Sequence, residues 1–168
     1  MHLVRDPLPQ AGARTLVRVV GVGNRWRRDD AAGLAVAERL RDTLPAGVEV
    51  VEREGEPAAL IEAWEGADAV WVIDAVSSGS PPGTVHRVEA GGTPLPASLF
   101  RASTHALGLA DAVELARALG RLPAELVVLG IEGCNLEAGE GISPEVAAAV
   151  ERVAATVRQE VEACTRRR

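Results

Sequence analysis

Three short polar stretches carry the side chains best suited to chemistry. The first is Gly21-Val22-Gly23-Asn24-Arg25-Trp26-Arg27-Arg28-Asp29-Asp30, directly after an apolar run. The second is Asp74, set near the end of the run Ala67–Val76. The third is Ser103-Thr104-His105, ahead of a helical pattern. One carboxylate from each of the first two stretches and the imidazole of the third would make a mixed oxygen and nitrogen donor set. Such donors suit borderline divalent ions such as nickel, zinc or cobalt. Three protein ligands also leave positions open for water or for a ligand brought by a substrate. His105, near a helix N-terminus, is biased toward the neutral imidazole that can donate a lone pair. Each residue also has an ordinary structural use. Asp29 or Asp30 could cap the helix that follows, and because neighbouring side chains diverge, one can cap while the other faces a cleft. Asp74 could be a turn residue bonded to backbone amides. His86 reads as ordinary surface.

Other chemistries find less support. Gly21-Val22-Gly23 begins a dinucleotide-type loop, but Trp26 stands where G-x-G-x-x-G needs its third glycine for close helix–strand packing. A nucleotide-binding α/β enzyme therefore stays a minor alternative. There is no G-x-S-x-G nucleophile elbow and no H-E-x-x-H zinc-protease motif. Ser77, Ser78 and Ser80 have the setting of loop serines. Cys134 and Cys164 form no C-x-x-C pair and read as free thiols of a reducing compartment.

The elements that must position these residues alternate between strand and helix. Leu16–Val22 is dense in β-branched residues and reads as a buried strand. Ala31–Leu44 follows with helical spacing of Leu34, Ala37, Leu40 and Leu44, closed by Pro45 and Gly47. Val48–Val51 is a second strand. Pro57 opens a helix to Trp64, since proline is tolerated in a first helical turn. Ala67–Val76 is nearly continuous in apolar residues, as expected of a parallel strand covered on both faces. Pro81-Pro82-Gly83 turns into a short edge strand, Thr84–Val88, and Ala90–Pro96 is loop. A helix over His105–Leu119, a buried strand over Glu125–Ile131, and a last helix from Ser143 as N-cap to about Cys164 complete the order. The expected fold is α/β: a single-domain, doubly wound, mostly parallel twisted sheet of about five strands with helices on both faces. Residues 1–14 read as a flexible leader and 15–168 as the domain. In such a sheet ligands bind outside the carboxyl ends of the strands, where all three polar stretches fall.

Composition narrows the partners. The chain has 168 residues, 47% of them hydrophobic and 25% charged, enough for one full core. Net charge is −6 and all 18 basic residues are arginine, so no global field favours nucleic acid. No segment approaches the ~20 apolar residues that span a bilayer, and the N-terminal stretch lacks a signal-peptide core, so a cytoplasmic protein is expected.

The blocks GVGNRWRRDDAAG, VIDAVSSGSPPGTV, STHALGLADAVELA and LGIEGCNLEAGEGISPEV occur in that order. Together they resemble the hydrogenase maturation protease family over about residues 17–160. That resemblance implies a metal-dependent, aspartic-type endopeptidase that removes the C-terminal extension of a nickel-loaded [NiFe]-hydrogenase large-subunit precursor. Nickel would arrive in the precursor as the recognition signal, so the free enzyme need not carry metal. The family's metal contacts carry over to Asp30, Asp74 and His105, which would also be the catalytic residues, with Asp29 supporting the loop and Asn24 shaping it. A monomer is expected. The chain departs from the family in having Asp30 where Glu is common, Ala31 where glycine is usual, and Arg53-Glu54-Gly55-Glu56-Pro57 where a Gly-Thr pairing is frequent. A non-catalytic, chaperone-like protein that inspects nickel insertion would present the same residues.

Overall fold

The computed structural model describes residues 15–100 and 108–167. Five strands form one sheet in the order β2-β1-β3-β5-β4, where β1 is Val17–Val22, β2 Val48–Arg53, β3 Ala69–Val76, β4 Val85–Glu89 and β5 Glu125–Glu132. The pairs β1·β2, β1·β3 and β3·β5 are parallel, and β4 runs antiparallel to β5. This is the mostly parallel α/β sheet expected from the alternating pattern, in a single domain.

Alternation along the strands divides the core in two. Val17, Val19, Trp71, Ile73, Leu129 and Ile131 pack beneath α1 (Ala32–Leu40) and α5 (Pro144–Arg166). Val20, Val22, Val70, Val72, Leu126 and Val128 face α2 (Pro57–Trp64) and α4 (Leu109–Ala118). All eight residues of β3 are buried, because both faces of this central strand are roofed by helices. A short helix, α3 (Ala97–Phe100), follows directly on the Ala90–Pro96 stretch that reads as loop in sequence. The helix expected over His105–Leu119 begins, within the described residues, at Leu109; His105 itself and the expected leader lie outside them.

The antiparallel turn of β4 follows from chain length. A parallel crossover needs a dozen or more residues, whereas only Ser77–Thr84 separate β3 from β4. This short connection arches over the end of β5, with Gly83 donating to the Glu132 carbonyl at 2.8 Å and Glu132 donating to the Thr84 carbonyl at 2.8 Å.

The expected helix over Ala31–Leu44 is shorter at both ends. A 3-10 turn occupies Arg28–Ala31, the α-helix proper starts at Ala32, and residues past Leu40 are turn. Gly33 lets the start of α1 lie on the strand ends. A Cβ there would sit 2.2 Å from the Ile73 carbonyl oxygen and 2.3 Å from that of Val22. The turn carrying Asp29 and Asp30 is thereby pressed onto the carboxyl ends of β1 and β3.

Candidate active site

The loop after β1 is folded around the side chain of Asp30. The Asn24 N–H donates to Asp30 Oδ2 at 3.0 Å, and the Asn24 side-chain oxygen accepts the Trp26 N–H at 2.9 Å. Asn24 thus shapes the loop with both its backbone and its amide. Gly23 has a φ of +152°, and a Cβ on it would lie 1.9 Å from the Asp30 carbonyl oxygen. This glycine is used to bring the loop against its own far end, where a dinucleotide loop would use it to approach a pyrophosphate.

Asp74 projects from β3 toward the face covered by α2 and α4, alternating with Val72 and Val76. It is only 6% exposed. Burial first, and then the charge of Asp30, push its carboxyl up to about 8 against the opposing pull of the Ala75 backbone N–H. Two acids, Asp30 from the 3-10 turn and Asp74 from β3, therefore share one electrostatic environment at the sheet edge. Among the described residues no three His, Cys, Asp or Glu side chains meet as a set able to hold a metal. The third expected ligand, His105, lies outside them.

Asp29 has a different task. It is fully buried, and neither it nor Asp30 caps α1, whose N-cap is Ala31 without a side-chain cap bond. Its carboxylate accepts the N–H groups of Cys134, Asn135 and Ser143 at 2.8, 2.9 and 2.7 Å, and the Ser143 hydroxyl at 3.0 Å. Burial works against its charge, but these hydrogen bonds outweigh it and hold the carboxyl below its ordinary range. Asp29 accordingly ties the β1 loop to the β5–α5 connection. Ser143 does occupy the N-cap position of α5, yet its hydroxyl serves Asp29 and makes no cap bond.

Two residues of this rim escape a reading of the sequence. Glu132, the last residue of β5, is 2% exposed. It accepts the Ser78 N–H at 2.7 Å, the Gly79 N–H at 3.0 Å and the Ser78 hydroxyl at 2.8 Å. His86 is half-buried, with Nε2 3.3 Å from the same carboxylate, so it is not ordinary surface. The signal available was the one that marked Asp74: a single acid closing an apolar strand, ELVVLGIE.

The model of the family described as "Hydrogenase maturation protease" matches residues 34–160. The chain belongs to the hydrogenase maturation protease family. The hydrogenase 2 maturation protease of Escherichia coli is 34% identical over 152 residues, covering 85% of this chain and 91% of that one. Among solved structures, an endopeptidase from E. coli aligns with a TM-score of 0.73 at 32% identity, covering 84% of this chain and 88% of the other. The [NiFe] hydrogenase maturation protease HybD from Thermococcus kodakarensis aligns with a TM-score of 0.70 at 28% identity, covering 86% and 98%. Some curated relatives are longer: the chain spans 60% of the hydrogenase expression/formation protein HupD of Thiocapsa roseopersicina. The protease is thus an α/β peptide hydrolase whose paired acids lie at the carboxyl edge of its sheet. Among its described residues no helix is long and apolar enough to cross a membrane.

Proposed function

We propose that this protease removes the C-terminal extension of a nickel-loaded [NiFe]-hydrogenase large-subunit precursor, acting as a cytoplasmic monomer and using the substrate's nickel for recognition. The observation that carries the reading is the coupling of Asp74 to Asp30, with the Asp74 carboxyl raised to about 8. A buried acid beside a second acid is stabilised by any cation that reaches both, since the cation offsets desolvation and mutual repulsion together. Nickel held in the precursor is such a cation. Its arrival would release the proton of Asp74 and bring the scissile bond to the rim.

Asp30 and Asp74 supply carboxylate oxygens, and His105 supplies the imidazole. Nickel held by these groups would supply Lewis-acid polarisation of the scissile carbonyl or of an attacking water. Fixing the peptide beside the metal adds the advantage of proximity, worth several kcal/mol. Asp29 is committed to four hydrogen bonds within the protein and is no candidate for the general base.

Cleavage of purified precursor, with and without nickel, tests the reading against nickel inspection without cutting. Wild type is expected to release the extension only from the nickel-loaded form. Asp74→Asn and His105→Ala should each lose more than the ~10–100-fold typical of outer-shell substitutions. Full processing by both variants, or none by wild type, would refute it.

A further inference from the structure

Glu132 closes β5 in register with Val76, two residues beyond Asp74 on the neighbouring strand, and its side chain is buried. Most of its side-chain contacts go to one turn, residues 77–79. The carboxylate accepts the Ser78 N–H at 2.7 Å, the Ser78 hydroxyl at 2.8 Å and the Gly79 N–H at 3.0 Å. His86 Nε2 stands 3.3 Å away on its other side. Main-chain bonds fix the ends of the β3–β4 connection: Gly133 donates to the Val76 carbonyl at 2.9 Å, and Glu132 to that of Thr84 at 2.8 Å. The carboxylate fixes the part between them that lies closest to Asp74 along the chain.

The outer side of this turn is open. Ser77, Ser78 and Gly79 are exposed, and the turn begins three residues after Asp74, at the carboxyl edge where α/β sheets bind their ligands. Gly79 has a φ of +90°, and a Cβ built on it would meet nothing within 4 Å. Another backbone can therefore approach it closely, as glycine permits. The inner side is stiff, because three donors of the turn converge on one buried carboxylate. For stability alone, a well-packed apolar side chain at the end of β5 would serve as well. What the carboxylate adds is a single hydrogen-bonded conformation for the turn.

We infer that residues 77–79 form a second support for the precursor peptide at the rim, and that Glu132 is the positioning residue beneath it. The inference rests on the endopeptidase reading for its substrate. Nickel held at the acid pair fixes one point of the precursor and leaves the peptide free to pivot about it. A second fixed contact is needed before one peptide bond is aligned for attack. The turn that follows Asp74 is exposed, rigidly backed and at the same edge, so it is placed to supply that contact. Glu132 touches no substrate and acts through Ser78 and Gly79.

Steady-state cleavage of the nickel-loaded precursor by wild type, Glu132→Ala and Glu132→Gln tests this, at a temperature where all three remain folded. Glu132→Ala should lower kcat about tenfold or more with KM within about threefold, since the nickel contact persists and alignment is lost. Glu132→Gln should recover most of kcat. Its amide oxygen still accepts the Ser78 and Gly79 N–H groups, and its NH2 can donate where the carboxylate accepted. Unchanged kcat and KM in Glu132→Ala, with wild type still cutting, would overturn the inference and leave the endopeptidase reading standing. A second measurement needs no turnover. Amide exchange at Ser77 and Ser80 of wild type should slow in the complex with nickel-loaded precursor. A bound precursor that leaves exchange there unchanged would sink the inference even if the enzyme proved unable to cleave.

Discussion

Ser143 gives both its N–H and its hydroxyl to the carboxylate of Asp29, a residue 114 positions earlier in the chain. This contact joins the loop that carries Asp30 to the start of α5, so the geometry of the acid pair depends on the far end of the protein.

Removing the Asp29 carboxylate should therefore cost stability heavily. Asp29→Ala leaves three backbone N–H groups without their acceptor in a buried site. A loss of about 3 kcal/mol or more is expected in urea unfolding. Ser143→Ala, which deletes one charge-assisted bond, should lose about 1.5–3 kcal/mol. Because the folded-state carboxyl lies below its unfolded value, this stabilisation is complete above the ordinary carboxylate range and fades as pH falls through the lower folded value. Asp29→Asn should flatten that acid limb.

Asp74 gives the opposite slope. Its carboxyl is raised from 3.8 to about 8, so between those values the folded protein holds a proton that the unfolded chain has released. Stability of the metal-free protease is expected to fall as pH rises from about 4 to about 8. Melting temperatures measured across that range should show the decline in wild type and a weaker one in Asp74→Asn. The same slope in both would remove the buried proton from consideration.

Gly33 is expected to tolerate no side chain. A Cβ would meet two carbonyl oxygens at 2.2 and 2.3 Å, both on strand backbone that has little room to yield. Gly33→Ala should lose about 1–3 kcal/mol, as overpacked cores do. It should also lower cleavage by shifting the turn that holds Asp30, an effect to be read at a temperature where the variant remains folded.

Glu132 holds the connection that arches over β5, immediately beyond Asp74 along β3. Glu132→Ala strands the N–H groups of Ser78 and Gly79, for an expected loss of about 1–3 kcal/mol. Amide exchange at those two positions should speed up more than exchange in β3 itself, marking a local opening of the loop. Uniform acceleration across the sheet would point to global destabilisation instead.

Much of this protein is legible in its amino-acid order because burial on two faces demands continuous apolar runs. AVWVIDAV and ELVVLGIE announce central parallel strands, and Pro57 and Ser143-Pro144 mark two helix starts. The placement of polar loops at the carboxyl edge follows from that alternation alone. The division of labour between Asp29 and Asp30 does not. The two residues are chemically identical neighbours, and only the 3-10 turn sends one carboxylate into the β5–α5 connection and leaves the other at the rim beside Asp74. Glu132 and His86 stand 46 positions apart and meet only because β4 folds back against β5. Local patterning settles which elements form, since periodicity and turn chemistry act over a few residues. Which acid is paired, buried or charged was decided by tertiary structure, because desolvation and hydrogen bonding depend on neighbours that are remote in sequence.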